Sequence, residues 1–304
     1  MPSLSLSPAA FRSSVIAVPP LARNPDFSLN RDENRRIVAH IEAGGVSILL
    51  YGGNAILYHI APSQYGQLLQ TLSEIASPQS VVIPSVGPAY GTMMDQAKIL
   101  NEFAFATAMI LPQKEISTSQ GIARAVRDFC QVAQQAAVLY IKHDNYVDVA
   151  DVVRLMNDGL LSAIKYAIVR DDPSHDEYLQ ALIEAVGSEL IVSGMGEQPA
   201  IIHMRQFGLP GFTSGCVCIR PDLSTAMLQA VNQSEFAAAE QIREIFRPLE
   251  DLRNTISPIR VLHEAVALAD IAHTGPLLPC LSDLEPSERE LVSQAANQLL
   301  QIRP

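Results

Sequence analysis

Tryptophan is absent from this sequence, and aromatic residues make up only 6% of it. Surfaces that stack on nucleic-acid bases need aromatic rings beside basic groups. Here 21 Lys and Arg face 32 Asp and Glu, the net charge is −11, and no basic stripe occurs, so no nucleic-acid partner is expected. Cysteine is scarce as well: Cys130, Cys216, Cys218 and Cys280. Only Cys216 and Cys218 lie close together, as C-x-C in a segment read as a strand, which would put both on one face. A structural zinc site needs closer paired spacings, so no metal is expected. The four are read as reduced, buried thiols of a cytoplasmic protein. His40, His59, His175, His203, His263 and His273 show no ligand spacing either. No apolar run approaches the roughly 18 residues of a membrane span. The opening "MPSLSLSPAAFRSSVIAVPP" has no basic segment ahead of a long apolar one, so neither a secretory signal nor a membrane partner is expected.

What the sequence has in quantity is apolar residue: 48% of 304 positions, enough for a large core. Short β-branched runs recur at Ser14–Val18, Val46–Tyr51, Ser80–Ser85, Thr107–Leu111, Ala137–Ile141, Ala163–Tyr166, Glu189–Ser193 and Gly211–Ser214. Between them lie stretches with helical apolar spacing, such as Tyr65–Ile75 and Ile122–Val132. Alternating units of this kind predict an α/β fold, a parallel (β/α)8 TIM barrel. An open dinucleotide-binding sheet would place a G-x-G-x-x-G turn after its first strand. Here that strand runs into Val18-Pro19-Pro20, which cannot form the turn. Beyond about Asn232 the pattern is helical only, over Glu235–Asp251, Ile259–Ala272 and Ser287–Ile302. The expected organisation is a barrel over residues 11–232 and a C-terminal helical domain over 233–304.

In such a barrel the C-terminal strand ends carry the active site. Lys165 is the residue that stands out, a lysine inside the apolar run "LSAIKYAIV". Tyr140 lies one βα unit earlier, and neighbouring strands run about 4.8 Å apart. If both side chains point inward, the amine and the phenol can share a substrate. A dry interior disfavours the ammonium form and makes the amine a nucleophile toward carbonyls. The phenol could move protons. A lysine reaching outward to solvent beside a core tyrosine is the alternative that spacing leaves open. Lys142, two residues past Tyr140 where the strand ends, is read as pointing away from Lys165. His143 and Asp144 either read substrate hydroxyls or form a solvated loop. "SGMGEQ" either cradles a phosphate at a helix start or allows a close backbone approach at Gly194.

Several segments together resemble the dihydrodipicolinate synthase / N-acetylneuraminate lyase family of class I aldolases. They are "AVPPLARNPDFSLN", "EAGGVSILLYGGNA", "AAVLYIKHDNYV", "AIKYAIVRDD" and "LIVSGMGEQPAIIHMRQFGLPGFTSGCVCIRP". They occur in the family's order over nearly the whole chain. The resemblance implies a (β/α)8 barrel with C-terminal helices, homo-oligomers (dimers or tetramers), no cofactor, and a 2-oxo acid substrate such as pyruvate or a compound that yields it. It puts Lys165 at the Schiff-base position and Tyr140 at the catalytic tyrosine. It makes Gly52, Gly53, Asn54, Gly194 and Thr213 the substrate-binding positions.

Departures from the family pattern carry information too. The strand-two loop reads Gly52-Gly53-Asn54-Ala55-Ile56, so the hydroxyls normally found there are missing, and only backbone N–H groups and the Asn54 amide could hold a carboxylate. Pro112-Gln113-Lys114 stands where a tyrosine from a neighbouring subunit is usual. Lys142-His143-Asp144-Asn145 lacks the synthase's arginine, which argues against lysine-pathway synthesis. Gly52-Gly53 and Asp144-Asn145 are closer to the family's sugar-acid dehydratases. Three readings follow: a Schiff-base lyase or aldolase on a 2-oxo acid, a dehydratase of a deoxy-keto sugar acid by the same imine chemistry, or an altered relative that binds a ligand without turnover.

Overall fold

The computed structural model describes residues 6–302. The first five residues of the opening segment, and the last two of the expected helical domain, lie outside the described residues. The strands are β1 (Ile16–Ala17), β2 (Ile48–Leu50), β3 (Val81–Ile83), β4 (Ser85–Val86), β5 (Ala108–Ile110), β6 (Ala137–Ile141), β7 (Leu161–Tyr166), β8 (Ile191–Ser193) and β9 (Thr213–Ser214). All pairings are parallel. One sheet runs β3-β2-β1-β9 and the other β4-β5-β6-β7-β8. A parallel bridge from Ser193 to Phe212 joins β8 to β9 and closes one seam. The other seam is Pro84, which splits the third barrel strand into β3 and β4. Proline has no N–H for the ladder, but its carbonyl still accepts from the Met109 N–H at 2.9 Å. The eight strands foreseen from the apolar runs are therefore all present, and the barrel is closed.

The strands read as unbroken apolar runs because both faces are covered, by barrel interior and by helices. Every residue of β2, β3, β5, β6 and β8 is buried. The covering helices are α2 (Arg31–Ala43), α3 (Pro62–Ile75), α4 (Tyr90–Leu100), α5 (Ser119–Ala133), α6 (Val149–Asn157), α7 (Glu177–Val186), α8 (Glu197–Phe207) and α9 (Pro221–Asn232). A short helix, α1 (Pro8–Ser13), precedes them all and was not foreseen. Its signal was local: Ser7 caps the Ala10 N–H and Pro8 sits at the first helical position. Phe11 is fully buried there, with its backbone so close to Gly211 that a Cβ would lie 2.6 Å from the Phe11 carbonyl oxygen.

Three helices follow the barrel: α10 (Phe236–Thr255), α11 (Pro258–Leu268) and α12 (Pro286–Gln301). The second stops at Leu268, four residues before its expected end, and an irregular segment runs on to α12. That segment lays Leu277 and Leu278 against Ile56 of the strand-two loop. Two cysteine expectations need correction. Cys216 to Cys218 form a 3-10 turn, because β9 ends at Ser214 and the Ser214 hydroxyl accepts the Val217 N–H at 2.9 Å. Cys130, Cys216 and Cys218 are buried free thiols, but Cys280 is exposed on the segment before α12. No helix among the described residues is long and apolar enough to cross a membrane.

Candidate active site

Parallel register places Tyr140 of β6 directly beside Lys165 of β7. Both side chains turn into the barrel. Lys165 is 5% exposed, and its Nζ lies 4.3 Å from the centre of the Tyr140 ring. The amine thus rests on the aromatic face. No carboxylate is paired with it among the described residues. Burial therefore dominates and pushes the Lys165 amine down to about 7, helped by the positive charges of Lys142 and Arg253. Burial likewise raises the Tyr140 phenol, with the Tyr58 hydroxyl acting in the same direction and Arg253 opposing. At neutral pH the pair is a partly neutral amine beside a neutral phenol.

Lys142 lies just past the end of β6 and is exposed. Its positive charge still lowers the Lys165 amine, second to burial. Asp144 is engaged elsewhere, accepting from both Arg170 Nη atoms at 2.8 and 3.0 Å. Arg170 also reaches Asp176, which accepts from the Tyr166 hydroxyl at 2.5 Å, so this network fastens the loops after β6 and β7.

The strand-two loop folds into a tight turn, with the Leu57 N–H donating to the Gly52 carbonyl and the Ile56 N–H to Gly53. Asn54 is buried and gives one amide N–H to the Val18 carbonyl at 2.8 Å, tying the loop to the end of β1. Gly52 is closely packed, since a Cβ would meet Met109 Cε at 2.7 Å and Ser85 Oγ at 3.1 Å. Gly53 lies under the Tyr58 ring, 3.8 Å from where its Cβ would be. Tyr58 was missed in the sequence. Its phenol, pushed up to about 12 mainly by burial, influences Tyr140 and stands in the loop that lacks the usual hydroxyls. Its position in the loop, beside the glycine pair, was the available signal.

Gly194 follows β8 and presses on the lysine itself. A Cβ would lie 2.7 Å from the Tyr166 carbonyl oxygen and 3.0 Å from Lys165 Cγ. The Gly194 N–H donates to that carbonyl at 2.6 Å. Thr213 on β9 is 1% exposed, and its carbonyl accepts from the Gly196 N–H at 3.0 Å. The phosphate cradle considered for "SGMGEQ" is already filled. Glu250 of α10 reaches the start of α8, with its two carboxyl oxygens accepting from Glu197 N at 3.0 Å and Gln198 N at 2.9 Å. Gly196, at φ +90°, leaves the room this needs, since a Cβ there would strike Glu250 Oε1. Burial and the neighbouring Glu197 raise the Glu250 carboxyl well above the usual range.

Glu197, Cys216 and Glu250 bring three potential donor atoms within 4.8 Å of one another, a grouping that linear spacing did not reveal. Glu250 is committed to the helix start, and the Ser224 hydroxyl donates to Glu197 at 2.6 Å. Burial holds the Cys216 thiol well up, which works against the thiolate a metal would need.

A closed (β/α)8 barrel with a dry lysine amine and a phenol at the C-terminal strand ends defines the class. In fold the chain is similar to dihydrodipicolinate synthase from Bacillus clausii, with TM-score 0.83 and 21% identity over 95% of this chain and 98% of that one. It is also similar to the Ruminococcus gnavus sialic acid aldolase, with TM-score 0.82 and 14% identity over 95% and 97%. In sequence it is similar to a protein of Pseudomonas putida described as "Probable 5-dehydro-4-deoxyglucarate dehydratase", 21% identical over 285 residues, 90% of this chain and 92% of the relative. A protein of the same description from Pseudomonas entomophila is 21% identical over 262 residues, 84% of each. No protein-family model matches the chain. The resemblance to the dihydrodipicolinate synthase / N-acetylneuraminate lyase family drawn from the sequence is borne out, and the fold is that family's barrel with C-terminal helices.

Proposed function

We propose that this chain is a Schiff-base-forming lyase acting on a 2-oxo acid, with Lys165 as the nucleophile and Tyr140 as the proton carrier. The observation that carries the reading is the Lys165 amine, buried without a carboxylate partner and lying 4.3 Å from the Tyr140 ring. An amine that titrates near 7 is about half neutral at pH 7, whereas a free lysine is almost wholly protonated. The neutral amine adds to the C2 carbonyl, and loss of water leaves an iminium. Two courses lead from the iminium. Removal of a C3 proton gives an enamine that expels the C4 hydroxyl as water, which is dehydration. Removal of the C4 hydroxyl proton instead breaks C3–C4, which releases an aldehyde and leaves an enamine; protonation of that enamine at C3 and hydrolysis give pyruvate and the free amine, which is aldol cleavage. Tyr140 is placed to carry protons for either course. The backbone of Gly52, Gly53 and Asn54 holds the C1 carboxylate, and Gly194 and Thr213 border the substrate.

Dehydration of a deoxy-keto sugar acid is the second reading. It is favoured by the curated relatives, whose descriptions name a dehydratase. The organisation that goes with the proposal is a barrel over 11–232, a helical domain over 233–304, and a homo-oligomer in the cytoplasm.

Borohydride reduction in the presence of pyruvate and a panel of 2-oxo sugar acids, followed by intact mass and peptide mapping, tests the chemistry. A reduced adduct on Lys165 is expected. Folded protein that traps none of these acids would leave only ligand binding without turnover. Release of pyruvate during turnover, without borohydride, of an acid shown to trap would then separate cleavage from dehydration.

A further inference from the structure

The loop from β1 to α2 holds an arginine that is buried without a counter-charge. The Arg23 N–H donates to the Thr274 carbonyl at 2.9 Å, and Arg23 forms an antiparallel bridge with Leu29. Gly275, at φ +69°, packs so closely that a Cβ there would lie 1.9 Å from the Arg23 carbonyl oxygen. The side chain turns back over its own loop, where Nη1 donates to the Phe27 carbonyl at 2.9 Å. Arg23 is only 4% exposed. Its Nε and Nη2 are shut off from solvent, and neither meets an acceptor among the described residues. Asp26, the acid of the same loop, is exposed and turned to Ser28, accepting from its N–H at 3.0 Å and its hydroxyl at 2.6 Å. Burial alone acts on the guanidinium, pushing it below its ordinary value with no acid opposing.

The two open atoms belong together. The Nε–H and one N–H of Nη2 lie along one edge of a guanidinium, the edge that grips an anion with two hydrogen bonds. Arginine keeps its charge in a protein interior. A buried charge without a partner is strongly unfavourable, and buried polar groups in folded proteins nearly always have a partner. Water on that edge would satisfy the two N–H groups but leave the charge. A dianion would exchange one uncompensated buried charge for another. A guanidinium this enclosed leaves no place for a bulky ligand. What fits is small and singly negative.

We infer that Arg23 holds a small monovalent inorganic anion, such as chloride, on its Nε–Nη2 edge as a resident counter-ion. The ion steadies the β1 loop, on which Thr274 and Gly275 are seated. The same segment goes on to lay Leu277 and Leu278 against Ile56 of the strand-two loop. The helical extension and the strand-two loop therefore lean on one ion-filled support. Neither Lys165 nor Tyr140 takes part, so the ion site is independent of the imine chemistry.

The test is urea unfolding of the full chain in sodium chloride and in sodium gluconate at matched ionic strength, gluconate being too bulky for the enclosed edge. An anion that binds only the folded form multiplies the folding equilibrium constant by about ten for each tenfold rise in its concentration above the dissociation constant. The wild-type protein should show that dependence in chloride and not in gluconate. Arg23→Met needs no counter-ion and should show it in neither. In chloride-free buffer Arg23→Met should be the more stable of the two, and its lead should shrink as chloride is added. Arg23→Lys keeps the charge without the fork and should need more chloride for the same gain. Crystals of the wild-type protein grown in sodium bromide give a reading that needs no variant: an anomalous peak is expected in hydrogen-bond contact with Nε and Nη2. Water or a protein oxygen on that edge in place of bromide would overturn the assignment. So would a bromide peak without chloride-dependent stability, or a chloride dependence that Arg23→Met retains in full.

Discussion

Replacing Lys165 by methionine should make the protein more stable, by an amount that depends on pH. The folded amine titrates near 7, while in the unfolded chain it titrates near its ordinary 10.4. Between those values the unfolded chain holds the extra proton, so stability rises with pH across that window. Below pH 7 the penalty of burying the ammonium is complete, roughly 4–5 kcal/mol from the gap between the two pKa values. At pH 9 it has shrunk to about 2 kcal/mol. Methionine keeps most of the aliphatic volume against Gly194 and Tyr140 and carries no charge. The difference in urea unfolding free energy between Lys165→Met and wild type should therefore favour the variant by several kcal/mol at pH 6. It should fall by about 2–3 kcal/mol by pH 9. The order of magnitude matters less than the slope. A difference that stays constant between pH 6 and pH 9, or a variant less stable than wild type at pH 6, would show that the amine is not desolvated and would remove the physical basis of its nucleophilicity.

Three further outcomes follow from the same geometry. Tyr140→Phe keeps the ring face under the amine but loses the phenol; the adduct on Lys165 should still be trapped while turnover drops by about 10²- to 10⁴-fold, measured as steady-state rate against adduct yield. Gly194→Ala forces a Cβ to 2.7 Å from a backbone oxygen and 3.0 Å from Lys165 Cγ, so adduct yield should collapse in protein whose far-ultraviolet circular dichroism is unchanged. Glu250→Ala leaves the Glu197 and Gln198 N–H groups at the start of α8 without their acceptor, and chemical denaturation should register a loss of about 1–3 kcal/mol.

Much of the barrel was legible because its signals are local. A strand covered on both faces must be apolar throughout, and the eight runs that met this condition are the eight barrel strands. The break at Pro84 was legible in principle, since proline cannot continue a ladder. The turn at Cys216 to Cys218 was not, because a short apolar run reads alike as strand or turn until something decides where the ladder ends; here the Ser214 hydroxyl does so. Lys165 and Tyr140 were found because each breaks the pattern around it and both fall at strand ends. Their pairing rests on register, which spacing indicated and the closed barrel fixes.

Arg253, Glu250 and Tyr58 lay beyond the reach of pattern. Arg253 and Glu250 belong to an amphipathic helix whose sequence contains ordinary charged positions, and nothing in it tells which residues fold back over the barrel mouth. Only the packing of α10 against α8 and the β9 turn places a carboxyl on a helix start and a guanidinium over a glycine. The sequence by itself determined the element types, their order and the anomalous lysine, because periodicity and backbone chemistry act between near neighbours. The tertiary structure decided which charges act on the buried amine, because electrostatic influence depends on distance and burial, and both are set by segments some ninety residues apart.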